Sequence, residues 1–184
     1  MFRGMIIFLI GLFLITGCSS LEVGYELRSS QGSAEKIAVL PFENFTSDPV
    51  AGEKIRRMVI QDLVLRGFFV IESGEVNRAL VEKGIINLSL LGSKELKEVG
   101  EKLGVRYLIK GGVFSYEIQR FSDVIFPSVA IQVNLIEVST GRVLRSTYRT
   151  EGGPSFKNLY FGMEPEALSE VAKKVVRMAL NDLF

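Results

Sequence analysis

Residues 105–150 read VRYLIKGGVFSYEIQRFSDVIFPSVAIQVNLIEVSTGRVLRSTYRT, and this stretch decides the fold. Its first part, residues 105–119, is long and largely apolar and predicts a strand, in which Gly111 and Gly112 indicate a bulge or bend. In residues 129–138, apolar side chains alternate with polar ones, a pattern typical of a strand with one buried face. We therefore expect two long neighbouring strands here.

A hairpin completes this part of the sheet. Thr140 and Gly141 predict a tight turn, after which residues 142–150 return beside the preceding strand. Arg145 and Arg149 are four residues apart in the returning strand, so they share one face. We interpret them as charges that guard a sheet edge against aggregation.

A strand–helix–strand unit opens the domain. IAVLPF at residues 37–42 predicts a strand buried on both faces, and FFVI at residues 68–71 predicts a second strand. Between them, Asp48 and Pro49 are typical of a helix start and Gly67 of a helix end. The helix has an apolar stripe formed by Ile55, Met58, Val59 and Leu63. A helical crossover of this kind predicts parallel strands.

Three further helices complete the expected architecture. Two of them begin at Ser73 and Ser93 and end at Gly84 and Gly104, and the last begins near Pro165. The last helix buries one apolar face, formed by Leu168, Val171, Ala172, Val175, Ala179 and Leu183. The predicted order is β-α-β-α-α-β-β-β-α, an α/β two-layer sandwich with a mixed sheet.

The amino terminus has the pattern of an export signal. Arg3 precedes GMIIFLIGLFLI at residues 4–15, an apolar run of about 18 Å as a helix, too short for a hydrocarbon core of about 30 Å. Residues 15–18, Ile-Thr-Gly-Cys, then resemble the bacterial lipobox, which implies that residues 1–17 are a signal peptide and that Cys18 carries lipid. The alternative is a plain secretory peptide or an anchor helix that happens to contain a cysteine.

The lipid on Cys18 is the predicted membrane attachment. Residues 18–35 hold this cysteine and a polar stretch with Ser and Gly, which predicts a flexible tether ahead of a domain spanning residues 36–184. Ser19 is compatible with sorting to the outer membrane, facing the periplasm, and the inner membrane is the alternative.

Composition removes several classes of function. The chain has 22 basic and 21 acidic residues, a balance that argues against a nucleic-acid partner. It has no histidine, which removes the commonest general base and the usual zinc ligand sets, so we expect no cofactor, no metal and no enzymatic activity. The remaining enzyme or small-ligand hypothesis uses Glu43, Asp48 and Glu53, just after the first strand, although capping and solvation explain these residues as well.

The chain resembles a known family over residues 36–183. IAVLPFEN at residues 37–44, VRYLIKGGVFSYE at residues 105–117 and VAIQVNLIEVSTGRVL at residues 129–144 resemble the periplasmic domain of CsgG-type lipoproteins. These include the curli secretion lipoprotein, the penicillin-binding-protein activator lipoproteins and flagellar outer-membrane lipoproteins, and the amino-terminal domain of TolB has a similar fold. The resemblance implies a lipid-anchored, non-enzymatic scaffold or regulator that contacts another envelope protein. The alternative is a homo-oligomeric part of an outer-membrane secretion or assembly apparatus related to curli export.

Two connections in this domain are unusually apolar. The curli pore subunit inserts membrane hairpins at the connections that match residues 120–128 and 152–163, but a hairpin needs about twenty residues or more, so we expect no pore here. The candidate partner contacts in these connections are Phe121, Ile125, Phe126, Phe156, Tyr160 and Phe161. The alternative is that both connections fold back and cap the core.

Overall fold

The computed structural model describes residues 35–121, 124–153 and 166–184. The predicted signal peptide and residues 18–34, including Cys18, lie outside these residues, as do the predicted contacts Phe156, Tyr160 and Phe161. The predicted domain boundary and the role of these residues therefore stay predictions.

The described residues form a mixed α/β structure, as predicted. The strands are β1 (Lys36–Val39), β2 (Glu43–Asn44), β3 (Phe69–Val70), β4 (Tyr107–Phe121), β5 (Val124–Glu137) and β6 (Arg142–Gly152). The helices are α1 (Ala51–Leu65), α2 (Ser73–Glu82), α3 (Ser93–Leu103) and α4 (Leu168–Leu183), with a short 3-10 helix at Leu88–Leu90. In these ranges no helix combines the length and the apolar character needed to cross a bilayer.

All the described strands belong to one mixed sheet. Its order is β3-β1-β4-β5-β6, and β2 pairs with β4 beyond the end of β1. The pairs β1–β3 and β1–β4 are parallel, whereas β4, β5 and β6 are antiparallel, so the predicted parallel crossover is confirmed. The first strand is shorter than predicted, since β1 ends at Val39 and β2 begins at Glu43, with Pro41, which has no backbone N–H, between them.

The prediction of two layers is wrong, because helices pack on both faces of the sheet. Ile37 and Val39 belong to a core with α1 and α4, whereas Ala38 and Leu40 belong to a second core with α2 and α3. Adjacent residues of β1 therefore enter opposite cores, as its unbroken apolar sequence requires. The result is three layers, α/β/α, where the sheet is formed by β1, the start of β4 and the end of β5.

The first predicted connection, residues 120–128, is also different. β4 continues to Phe121 and β5 begins at Val124, so most of this segment is strand rather than loop. Pro127 pairs with Ile118 of β4, and β6 ends opposite the next residue, Ser128. A proline is tolerated at this position because β4 is the one described strand that pairs with it, so β5 behaves there as an edge strand.

Candidate protein-contact surface

One half of the second sheet face is not covered by α2 and α3. These helices pack over Leu108, Ile136 and Val138, near the end of the sheet where β5 turns into β6. Farther along the strands, the same face presents exposed aromatic side chains. This part of the face, which α2 and α3 leave free in the described ranges, is the candidate functional site.

Three aromatic rings from three elements meet on this face, and we call Phe45, Phe114 and Tyr148 the aromatic surface. The rings of Phe45 and Phe114 stack with centroids 5.0 Å apart and planes at 19°, and Phe114 meets Tyr148 at 5.8 Å and 60°. The exposed fractions are 59%, 43% and 57%, respectively. The three rings thus form a connected row that remains open to solvent.

The two neighbouring glycines of β4 have separate packing roles. Gly111 faces the first core, where a Cβ would collide with the ring of Phe42 and lie 2.6 Å from the carbonyl oxygen of Gln132. Gly112 faces the other side, where a Cβ would lie 3.1 Å from Cε2 of Phe45. The lack of a side chain at Gly111 therefore leaves space for the ring of Phe42 in the core. The lack of one at Gly112 leaves space for the ring of Phe45 against the sheet.

A bulge adds Phe114 to the surface. Val113 pairs with Ile131 and Ser115 with Ala130, which leaves Phe114 as the extra residue of β4. The predicted irregularity in this strand is therefore present, two residues after the glycine pair. The predictions from sequence do not include the aromatic surface. The strand periodicity does place Tyr148 on the face of β6 opposite Arg145 and Arg149, and an aromatic residue on that face is the signal that could have indicated it.

An ion pair and a hydrogen bond border the aromatic surface. Lys110 Nζ lies 3.7 Å from Glu43 Oε1, and both side chains are largely buried. The Ser89 hydroxyl donates a hydrogen bond to Glu43 Oε2, which ties the 3-10 helix to β2. Both carboxylate oxygens of Glu43 are therefore occupied by contacts at the edge of the aromatic surface, one with Lys110 and one with Ser89.

The acidic residues after the first strand do not converge on one site. Asp48 accepts hydrogen bonds from the Val50 amide at 2.9 Å and from Lys54 Nζ at 2.8 Å, and Lys54 lowers the pKa of Asp48. Glu53 instead pairs with Arg57 at 3.1 Å. Among the described residues, no group of three or more acidic, cysteine or histidine side chains is placed to hold a metal ion.

Two of the predicted partner contacts have described side chains. Ile125 is partly exposed, whereas Phe126 is 8% exposed, so its ring offers little surface to a partner. Ile125 and Phe126 lie in strand β5, and the contact roles of Phe121, Ile125 and Phe126 stay predictions.

Known proteins share this fold at low sequence identity. Comparison with models of known protein families gives no match for the chain, and comparison with curated protein sequences gives no significant match. Among solved structures, the PelC dodecamer from Paraburkholderia phytofirmans is similar, with 22% identity over 82% of this chain and 87% of that chain and a TM-score of 0.56.

Two further solved structures are similar as well. Lipoprotein GNA1162 from Neisseria meningitidis matches with 17% identity over 80% of this chain and 99% of that chain, with a TM-score of 0.58. The hypothetical protein CT253 from Chlamydia trachomatis matches with 11% identity over 82% of this chain and 95% of that chain, with a TM-score of 0.52. These similarities show a shared fold. One of the proteins with this fold, GNA1162, is described as a lipoprotein.

Proposed function

We propose that this protein is a lipid-anchored envelope lipoprotein that acts as a non-enzymatic scaffold or regulator, binding another envelope protein through the aromatic surface. The observation that carries the proposal is the connected, exposed row of Phe45, Phe114 and Tyr148. Clustered exposed apolar side chains mark interaction sites, and aromatic residues are enriched among the residues that dominate binding energy.

The architecture around this surface supports a contact role. The rings stand on β2, β4 and β6 of a single hydrogen-bonded sheet, so burying them against a partner needs little reordering of backbone. The Glu43–Lys110 pair supplies a polar border, as interfaces commonly have around an apolar centre.

Membrane attachment is the second part of the proposal. The lipobox-like sequence ending at Cys18 supports lipid attachment at that residue, and Ser19 is compatible with the outer membrane. The similarity in fold to a protein described as a lipoprotein agrees with this assignment. The finer resemblance to CsgG-type lipoproteins is part of the proposal and suggests an envelope assembly process.

Self-association is the second candidate function. The long strand β6 is at the edge of the sheet, and a protein of similar fold forms a dodecamer. A homo-oligomeric role in a secretion or assembly apparatus, of the curli-export kind or another, would use such an edge.

Site-specific photocrosslinking in intact cells tests the contact role. A photoreactive phenylalanine analogue replaces Phe114 in the full-length chain, and a matched variant carries it at Leu65, an exposed residue of α1 outside the aromatic surface. We expect a crosslink from position 114, but not from position 65, to one envelope protein identified by mass spectrometry. Crosslinks only to a second copy would favour self-association, and absence of crosslinks from position 114 would contradict binding of another envelope protein through the aromatic surface.

A further inference from the structure

Strand β6 is an unusually open sheet edge. It has 11 residues, nearly all exposed, and pairs on one side with β5, while no other described strand pairs with its outer side. Edge strands in stable proteins are commonly short, or protected by charged side chains, proline or a bulge that turns the edge away. β6 contains no proline, its one irregularity is near Leu144 at its beginning, and its charged residues are Arg142, Arg145, Arg149 and Glu151.

Arg145 and Arg149 of β6 contact helix α4 on one face of the strand. Arg149 donates to both carboxylate oxygens of Asp182 at 2.6 Å, and Thr147 Oγ1 donates to the same carboxylate at 2.6 Å. Arg145 Nη1 lies 3.3 Å from the carbonyl oxygen of Leu183. The predicted shared face of Arg145 and Arg149 is confirmed, and among the described residues no other strand pairs with the outer side of β6.

We propose that β6 pairs with β6 of a second copy of this chain, antiparallel, about a two-fold axis that passes beside Tyr148. The axis runs normal to the sheet, so the corresponding faces of the two copies lie on the same side of the joined sheet. Every residue of β6 therefore opposes a residue whose side chain points to the same side. In this register, Tyr148 faces its own copy, Ser146 faces Thr150, and Arg145 faces Glu151. The inference rests on self-association, the second of the two proposed functions.

Charge and strand overlap together select this register among the two-fold alternatives. With the axis at Tyr148, the Arg145–Glu151 pair occurs twice, and no like charges are directly opposed. With the axis one residue earlier, Arg145 would face Arg149, and one residue later Arg149 would face its own copy. An axis at Thr150 would also oppose unlike charges, Arg149 and Glu151, but only residues 148–152 of β6 would then pair. Directly opposed like charges destabilise a strand pair, whereas opposite charges stabilise it.

Regular geometry favours the same position. The β5–β6 register is unbroken from Arg145 to Gly152, and the shift lies just before it, between Leu135 and Ile136 on the β5 side. An axis at Tyr148 keeps the Arg145–Glu151 pairs within this unbroken segment. An axis at Ser146 would instead bring Leu144, at the irregularity, into the centre of the pairing.

The pairing has a consequence for the aromatic surface. Tyr148 is at the β6 end of the row formed with Phe114 and Phe45. Across the two-fold axis, this row continues into the same row of the second copy. Two six-stranded sheets thereby present one apolar strip, twice as long, to a further partner.

Cysteine crosslinking of the full-length, detergent-extracted protein tests the register. Cys18 is the native cysteine of the chain, so the wild-type protein reports its background. Tyr148→Cys, oxidised with copper phenanthroline, is expected to give a disulfide-linked dimer, since directly opposed residues lie within disulfide reach. Arg142→Cys, on the same strand but far from the axis, is the matched control and is expected to stay monomeric.

A second pair of variants checks the strand direction. Ser146→Cys and Thr150→Cys, each carrying a different tag and expressed together, are expected to crosslink to each other more than to themselves. If each variant crosslinked to its own kind as efficiently as to the other variant, the register would be overturned.

Charge reversal gives an independent readout. Arg145→Glu and Glu151→Arg are each expected to weaken the dimer about tenfold in its dissociation constant, and the double variant is expected to restore it. Glu151 also pairs with Lys174 at 3.2 Å within one chain, so the melting temperature of each variant is measured alongside. Failure of the double variant to restore a dimer, with folding intact, would overturn the assignment of this pair.

Light scattering separates failure of the register from failure of self-association. A dimer without the Tyr148→Cys crosslink would overturn the register and leave self-association in place. A strict monomer at high concentration would overturn both, while the photocrosslink from Phe114 to another envelope protein would remain an independent test of the scaffold proposal.

Discussion

The buried guanidinium of Arg56 shows how one residue joins three elements. It is 1% exposed, and burial lowers its pKa. Its Nε and Nη2 donate to the Val39 carbonyl at 3.1 and 2.8 Å, and its Nη1 donates to Asn77 Oδ1 at 3.1 Å. The Ile37 carbonyl accepts from the Ile71 amide beside β3, but Val39 lies beyond the end of that strand, so Arg56 supplies the missing donor.

Replacing Arg56 therefore tests a structural role. Arg56→Met is expected to lower the free energy of unfolding by about 1–3 kcal/mol for each acceptor left without a donor. Arg57→Met, at a 75% exposed side chain on the same helix, is the matched control and should change it by less than about 0.5 kcal/mol. Chemical denaturation of both variants measures the difference, and equal stabilities would contradict this account of the buried arginine.

The glycine pair of β4 predicts an asymmetric response to alanine. Gly111→Ala forces a methyl group against Phe42 and the Gln132 carbonyl inside the core, and is expected to lower the free energy of unfolding by about 1–3 kcal/mol. Gly112→Ala meets the exposed ring of Phe45, which can move aside, so we expect a change within about 0.5 kcal/mol. Denaturation curves compare the two, and a larger loss for Gly112→Ala would contradict the assignment of faces.

At the scale of elements, Asp182 connects α4 to β6. Hydrogen bonds from Arg149 and then Thr147 lower its pKa from 3.8 to about 2. A lowered pKa means that folding favours the carboxylate, so this contribution to stability is complete above pH 3.8. It decreases as the pH falls from 3.8 and is lost as the pH passes through about 2.

Asp182→Asn is expected to follow the same pH dependence. The variant should unfold at a lower temperature than the wild type at pH 7, because the amide cannot form the ion pair with Arg149. The difference should shrink below pH 3.8 and be small at about pH 2, where the wild-type carboxyl is half protonated. Thermal denaturation across this range measures it, with Glu170→Gln on the exposed face of α4 as control, and a difference as large at pH 2 as at pH 7 would refute the linkage.

Strand boundaries illustrate why elements are only partly readable from sequence. The alternation in residues 129–138 predicted part of β5, because a strand with one buried face repeats every two residues. The segment before it contains Pro127 and lacks that alternation, so its strand character was missed. β5 extends through it because β4 supplies backbone partners there, which is a non-local effect.

At the scale of the whole molecule, the proposed membrane attachment would depend on Cys18, which lies outside the described residues. Cys18→Ser is expected to abolish labelling with palmitate and to release the protein from the membrane or mislocalise it, because no acyl chain can be attached. Ser19→Ala is the matched control and should keep the label. Cell fractionation with carbonate and salt washing measures attachment, and a Cys18→Ser protein that resists washing would indicate a second attachment.

The sequence by itself determined the local elements: the helices read from apolar stripes and their glycine ends, the parallel crossover, and the β5–β6 hairpin. These follow from backbone periodicity and turn chemistry, which act between near neighbours in the chain. The tertiary structure alone decided that helices cover both faces of the sheet, that Arg56 is buried, and that Phe45, Phe114 and Tyr148 meet on the open half. These features join residues distant in sequence, and they depend on which surfaces the fold buries and which it leaves exposed.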